Sequence, residues 1–212
     1  MKLHTPFIGF NPAHHPEGSM TQGFGENVAL YKMFGMTGGH NGEDYVAPHG
    51  TILFALEDGI IIDEQEEKDG WGRHVRLLSD HEEDGKRREW IYAHNSKHLV
   101  KVGDHVKRGQ PIARMGNSGF VVSGKTPFWK NNPYRGTHLH LGLRMVKLDQ
   151  NGWSYPGSDI YINVLNYNNG HKGAVPFRSL IESTYEPLEE QVETGQLAII
   201  SLLKKLVSKL TN

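Results

Sequence analysis

Apolar and polar residues alternate with a period of two through much of the middle of this chain. The plainest stretch is Thr137-His138-Leu139-His140-Leu141-Gly142-Leu143-Arg144. Such alternation marks a half-buried strand. Leu139, Leu141 and Leu143 are therefore expected to face a core. His138 and His140 then project together from the opposite face, about two residue rises apart, close enough for one to bind a metal while its neighbour handles a proton. Further strands are expected over residues 51–56 and 60–62, separated by an Asp58-Gly59 turn, and over 73–78 and 89–93. The polar stretch 79–88, with its turn glycine Gly85, reads as a solvated hairpin tip. Residues 100–113 read as two short strands bridged by glycine turns. This is the rhythm of a compact all-β sandwich or barrel.

Two segments depart from that rhythm. Residues 116–136 are long and irregular and hold Pro127, Phe128, Trp129, Pro133 and Tyr134. Their length suggests a functional loop whose aromatics line a groove. The C-terminal run has Ile200, Leu203, Val207 and Leu210 spaced three, four and three apart, with Lys204, Lys205 and Lys209 off the seam. It predicts an amphipathic helix. That helix either docks on the body, self-associates with another copy, or holds the protein on an anionic surface. The expected organisation is an N-terminal extension over 1–19, one β domain over 20–175, and a linker with the amphipathic helix over 176–212.

Composition narrows the chemistry. With 212 residues, 37% hydrophobic and 22% charged, one sizeable core is expected. A net charge of -1 and the lack of a long basic run argue against nucleic acid as a partner. Cysteine is absent, so there is no disulfide and no thiolate ligand, and any metal must sit on nitrogen and oxygen. The first residues are interrupted by Pro6, Gly9 and Pro12, and no Sec-type signal peptide is expected there. The longest apolar run, residues 197–203, is too short to cross a bilayer, so no integral membrane segment is expected.

Thirteen histidines are too many for each to have a task. His40 and Asp44 stand out because Gly38-Gly39-His40-Asn41-Gly42-Glu43-Asp44-Tyr45 disfavours a helix and suggests a loop entering a strand. His94 follows the apolar stretch Trp90-Ile91-Tyr92-Ala93, where a strand stops. Working residues concentrate at such loop-proximal positions on a rigid scaffold.

At these positions the chain resembles the lysostaphin-type, or LytM-like, zinc endopeptidases that cut peptidoglycan cross-links. The resemblance rests on His-x-x-x-Asp at His40 and Asp44, Tyr-x-His at Tyr92 and His94, and the segment Gly103-Asp104-His105-Val106-Lys107-Arg108-Gly109-Gln110. His-x-His at His138 and His140 completes the set, in family order, and Thr21-Gln22-Gly23-Phe24-Gly25 is similar to the family's opening strand. It implies a mainly β fold, a compact antiparallel sandwich or half-barrel related to biotinyl and lipoyl-type hybrid barrels. It also implies one zinc ion on His40, Asp44 and His140, with His94 and His138 as the catalytic pair and peptidoglycan peptide as substrate.

The donor types agree with that implication. Two imidazoles and one carboxylate leave a fourth tetrahedral position open, as in a catalytic rather than a structural zinc site. An ion there acidifies water and polarises a carbonyl. His94 and His138 are expected to divide the roles of base and oxyanion stabiliser, with His138 preferred as the base, an order the sequence alone does not fix. The chain departs from the family in the aromatic insertion before Thr137-His138, and it shows neither a signal peptide nor a wall-binding domain. A phage-like lytic protein delivered by other means fits those features. An inactive metal-binding module shares the fold but usually loses ligands, whereas all five positions are present here. A cupin wants a glutamate where Leu143, Arg144 and Met145 stand, and a lipoyl or biotinyl carrier wants an acceptor lysine that is not found.

Overall fold

The computed structural model describes residues 2–68, 70–123, 126–127 and 132–184. Phe128, Trp129 and the expected C-terminal amphipathic helix lie outside the described residues. In chain order the strands are β1 (Met20–Gln22), β2 (Glu43–Tyr45), β3 (Ile52–Phe54), β4 (Gly59–Glu66), β5 (Arg73–Glu83), β6 (Lys86–Ala93) and β7 (Asn95–His98). They continue with β8 (His105–Val106), β9 (Pro111–Met115), β10 (Val122–Ser123), β11 (Thr126–Pro127), β12 (Leu139–Ser154) and β13 (Tyr161–Val164). Two short helices, α1 (Val28–Tyr31) and α2 (Arg178–Thr184), complete the described elements with one 3₁₀ turn.

The strands form a large antiparallel sheet in the order β1-β2-β12-β6-β5-β4-β8, with β13 also on β12, and a smaller sheet in the order β3-β9-β7. The architecture is mainly β and antiparallel, two sheets that do not close into a barrel, as the compact sandwich or half-barrel expectation has it. The alternation expected at β12 is present. Leu139, Leu141 and Leu143 are buried against Tyr45, Trp90, Tyr92 and Leu77 of the same sheet and Leu53, Ile112 and Met115 of the smaller one. Leu3, Phe7 and Phe10 from the N-terminal segment enter the same core, as do Phe177 and Ile181 at the other end. Ile60, Ile62, Leu78 and Val146 have the opposite parity and build a second, smaller cluster with Tyr155 and Ile162.

The structure adds detail to two of the expected segments. The stretch 79–88 is the solvent-facing tip of the β5–β6 hairpin, as expected, but its strands reach further than expected, β5 running on to Glu83 and β6 beginning at Lys86. Only Asp84 and Gly85 turn, with φ of 51° and 68°, the positive pair that suits a tight hairpin and that Asp-Gly supplies readily. Polar residues can extend the ladder there because the backbone supplies the pairing. Ser79 is moreover buried and donates to Glu57, which also accepts from Arg88 and Trp90. The two short strands within 100–113 do not pair with each other. His105–Val106 joins β4 in the large sheet and Pro111–Met115 joins β3 and β7 in the small one, so the turn at Gly109 carries the chain between sheets.

Helix α2 ties the chain end to the site strand. Arg178 Nε donates to both carboxylate oxygens of buried Glu43, at 3.1 and 3.2 Å, and Nη2 donates at 3.0 Å. Glu43 is the immediate neighbour of Asp44, and Tyr45 also donates to it. Fork-like arginine contacts of this kind combine strength with fixed geometry.

Leu141 is fully buried in the strand that carries His140. Leu141→Ala should cost about 2–5 kcal/mol, the range for emptying a core site of this size. Urea unfolding followed by circular dichroism measures it. A midpoint within error of the parent would contradict this account of the core.

Candidate metal centre

Strand register assembles the centre. In β12, His140 lies opposite Asp44 of β2 on one side and opposite Ala93 of β6 on the other. His138 sits just before β12 and bridges to Gly116. His94 follows β6 where the chain leaves the large sheet for β7 in the small one. Its φ is 61°, a left-handed conformation that costs a non-glycine residue on the order of 1 kcal/mol. The strain sits where the backbone must turn between sheets, and Trp71's carbonyl accepts the His94 N–H at 2.9 Å.

His40, Asp44 and His140 converge, and all three are buried. His40 Nε2 is 2.8 Å from His140 Nδ1 and 3.2 Å from Asp44 Oδ1, and His140 Nδ1 is 3.1 Å from the same oxygen. His138 Nε2 stands 3.8 Å from Asp44 Oδ1, and the His94 and His138 rings are 4.6 Å apart. Gly42 makes the close approach possible. A Cβ there would lie 2.5 Å from the Leu141 carbonyl oxygen and 2.6 Å from the His140 ring.

Backbone carbonyls decide which ring nitrogens face inward. A carbonyl oxygen can only accept, so Nδ1 of His40 donates to Gly23 at 3.2 Å, Nδ1 of His94 to Ser118 at 2.8 Å and Nδ1 of His138 to Gly136 at 2.7 Å. Each of these rings, when neutral, then keeps its lone pair on Nε2. His140 differs in presenting Nδ1 to the centre, and its Nε2 is buried with no hydrogen-bond partner among the described residues.

Electrostatics separate the histidines. Burial pushes His94 well below the ordinary imidazole range, reinforced by His138 and His140. Burial likewise brings His140 down to about 4, against the pull of Asp44. At His40 burial is outweighed by Asp44 and the pKa is raised. Burial alone would raise the pKa of Asp44, but His40, His138 and His140 hold it well below the usual carboxylate range. The centre therefore holds an ionised carboxylate beside two imidazoles, His94 and His140, that burial keeps neutral.

A cavity of about 630 Å³ opens over these groups, lined by Asp44, His94, His138 and His140 with Tyr31, Phe34, Trp71 and Phe120 as aromatic walls. These aromatics come from segments other than the expected 116–136 stretch, apart from Phe120. Tyr134 packs on His49 instead. Four of the five expected site residues line this cavity, and the fifth, His40, lies buried behind them against Asp44 and His140. Tyr31, stacked 5.0 Å from the His40 ring, and Trp71 escaped notice in the sequence because nothing local marks them. The three carbonyls that orient the imidazoles carry no sequence signal at all.

Residues 38–152, more than half of the chain, match Peptidase family M23. The chain belongs to that family. As an M23 chain it is 40% identical over 90 residues to lysostaphin of Staphylococcus staphylolyticus, an alignment that covers 42% of this chain and 18% of the relative. It is 32% identical over 126 residues to the peptidoglycan DD-endopeptidase ShyC of Vibrio cholerae, covering 58% and 24%. The matched segment thus spans less than a quarter of either curated relative. The crystallised catalytic domain of lysostaphin from Staphylococcus simulans superposes with a TM-score of 0.50 at 23% identity, over 77% of this chain and 91% of that domain, which is a likeness of fold.

The metal-free M23 chain should lose stability on acidification from pH 6.5 toward 4. His94 and His140 are depressed in the folded state, so the unfolded chain binds roughly two more protons in this window, while His40, raised, is protonated in both states. Their contribution is present above the unfolded pKa and is lost as pH falls. Thermal melts of chelator-treated protein at pH 7 and 5 test the sign. A melting temperature that rises toward pH 5 would refute it.

Proposed function

We propose that this chain is a zinc-dependent endopeptidase hydrolysing peptide bonds in peptidoglycan stem peptides or cross-bridges. One observation carries the reading. Three donor atoms from His40, Asp44 and His140 meet at one point, and two further imidazoles, His94 and His138, stand beside them over the same cavity without joining the set. The substrate class is supported by the names of the curated relatives, a lysostaphin and a peptidoglycan DD-endopeptidase.

The donor set fits zinc. It offers nitrogen and oxygen only, and its separations of 2.8–3.2 Å are close to the roughly 3.3 Å edge of a tetrahedron built on bonds near 2.0–2.1 Å. The Gly23 carbonyl, by accepting from Nδ1, leaves the lone pair of neutral His40 on Nε2, facing the other two donors. We assign one zinc ion to these three residues, which when bound acidifies water and polarises the scissile carbonyl. His138 takes the proton of the attacking water on Nε2 and delivers it to the leaving amine. The ionised Asp44 carboxylate, 3.8 Å away, favours the imidazolium formed in between. His94 is kept neutral by its burial, so its Nε2 accepts a hydrogen bond and orients the water rather than donating to an oxyanion. Residues 20–175 carry the catalytic groups in this reading, with Leu3, Phe7, Phe10, Phe177 and Ile181 completing their core, and the place of action is the bacterial cell wall.

Alanine at His40, Asp44 or His140 should lower metal content and activity together. Alanine at His94 or His138 should spare the metal and reduce turnover by roughly 10² to 10⁴. Metal analysis and rates of the five variants separate the roles, and an empty site in His138→Ala with a filled one in His140→Ala would reverse them. Digestion of diaminopimelate-type and glycine-bridged walls, with fragments identified by mass, should yield new amino termini. Reducing sugar ends without them would end the peptidase reading, and release of neither would leave a metal-binding module.

A further inference from the structure

Arg144 lies on the histidine-bearing face of β12, four residues beyond His140 with only Gly142 between them on that face. At roughly 3.3 Å per residue this places it about 13 Å along the strand from the centre. It is 6% exposed, yet it lines the same cavity as His94, His138 and His140. No side-chain hydrogen bond of Arg144 is found among the described residues, and its Nε is buried with no partner. Its nearest carboxylate is Glu89, whose Oε1 lies 4.0 Å from Nη1, beyond hydrogen-bond distance, and accepts from Arg76 instead, while Glu89 Oε2 is buried with no hydrogen-bond partner among the described residues. Arg76 also pairs with Asp63 at 3.0 Å. The Arg144 guanidinium lies 5.1 Å from the Trp71 ring centre, and that ring stands 6.4 Å from His140. Burial, aided by Arg76, pushes the Arg144 pKa down against the pull of Glu89.

A buried cation without matching hydrogen bonds is costly unless something completes its shell. Lys172 lines the same cavity. The cavity's carboxylates among the described residues are Asp44, held by imidazoles, and Glu67. We infer that Arg144, assisted by Lys172, is a specificity-determining residue that receives a free carboxylate of the substrate peptide, carried within about four residues of the bond that is cut. The guanidinium fork suits a carboxylate, and the Trp71 face holds the fork in plane. The inference rests on the peptidase reading and extends it to the substrate class: carboxylate-bearing stem peptides are bound in preference to neutral glycine bridges. The carboxylate belongs either to the peptide's C-terminus or to a branching side chain, two sources with one chemistry.

Four stem tetrapeptides test it: one with both carboxylates free, one amidated at the terminus, one amidated at the side chain, and one amidated at both. Binding to the metal-replete protein is followed by calorimetry and tryptophan fluorescence, and hydrolysis is measured separately. Amidating the recognised carboxylate should weaken binding about ten- to a hundred-fold, the scale of a charge-assisted pair, while amidating the other changes little, which identifies the source. In Arg144→Gln the free and amidated forms should bind within about a factor of two of each other. Arg144→Lys, which keeps the charge without the fork, should retain part of the preference, and Lys172→Gln should reduce it. Equal binding of the free and doubly amidated peptides to the parent protein overturns the inference. So does a preference that survives Arg144→Gln while the melting temperature falls, which would make Arg144 only a partner of Glu89. Selective binding without hydrolysis would keep this subsite and reject the peptidase reading, whereas equal binding with hydrolysis of all four would do the reverse.

Discussion

The placement of β12 between β2 and β6 is the constraint on which the rest depends. Because successive strand residues point to opposite faces, burying Leu139, Leu141 and Leu143 commits His140 and Arg144 to the other side. A slip of one residue would turn the imidazole into the core and three leucines into the cavity. Burial of aliphatic side chains thus sets the register, and the register sets Asp44 opposite His140 on one flank and ends β6 beside it on the other, so that His94 follows. The convergence of the metal-capable group follows the register that core packing sets.

Around that scaffold the site is held by backbone polar groups more than by other side chains. Gly23, Ser118 and Gly136 carbonyls each accept from one imidazole, and by occupying Nδ1 they leave Nε2 for chemistry. Tight backbone approaches support them. The loop that supplies the Ser118 carbonyl passes Gly72 so closely that a Cβ there would meet the Gly119 nitrogen at 2.4 Å. The same burial that orients the rings also keeps His94 and His140 neutral, while the shared Asp44 carboxylate remains ionised. One desolvated pocket therefore holds a buried, neutral His94 beside the more open His138.

Buried charges secure the elements that carry the site. Glu43 and Glu57 are fully shielded yet each is met by an arginine: Arg178 from α2 reaches Glu43 beside Asp44, and Arg88 reaches Glu57 under the hairpin. Breaking one member of such a pair strands the other, which is why these contacts constrain geometry even where their net stabilisation is small. Arg144 is the exception on this side of the sheet. Its compensation is incomplete, and it is the buried cation that opens onto the cavity.

The sequence by itself determined the strand face and the ligand types. A period of two is written in the chain wherever one face of a strand is buried, so Leu139 to Leu143 and the common face of His138 and His140 were legible, as was the β architecture, and the sequence motifs singled out five residues that the fold brings near one another. Periodicity is a local property, and it does not give strand ends or partners where burial does not alternate. The hairpin tip at 79–88 was legible, but not that its polar residues stay paired up to an Asp-Gly turn, and the strands of 100–113 were legible, but not that they join different sheets, because partner choice is settled by long-range packing. Tertiary structure alone decided the contacts that make the site chemical: which carbonyl meets which imidazole, where Tyr31 and Trp71 stand, and that Arg144 is left facing the cavity. Those are meetings between backbone groups and side chains far apart in the chain, and their energies depend on burial, which has no value until the fold is complete.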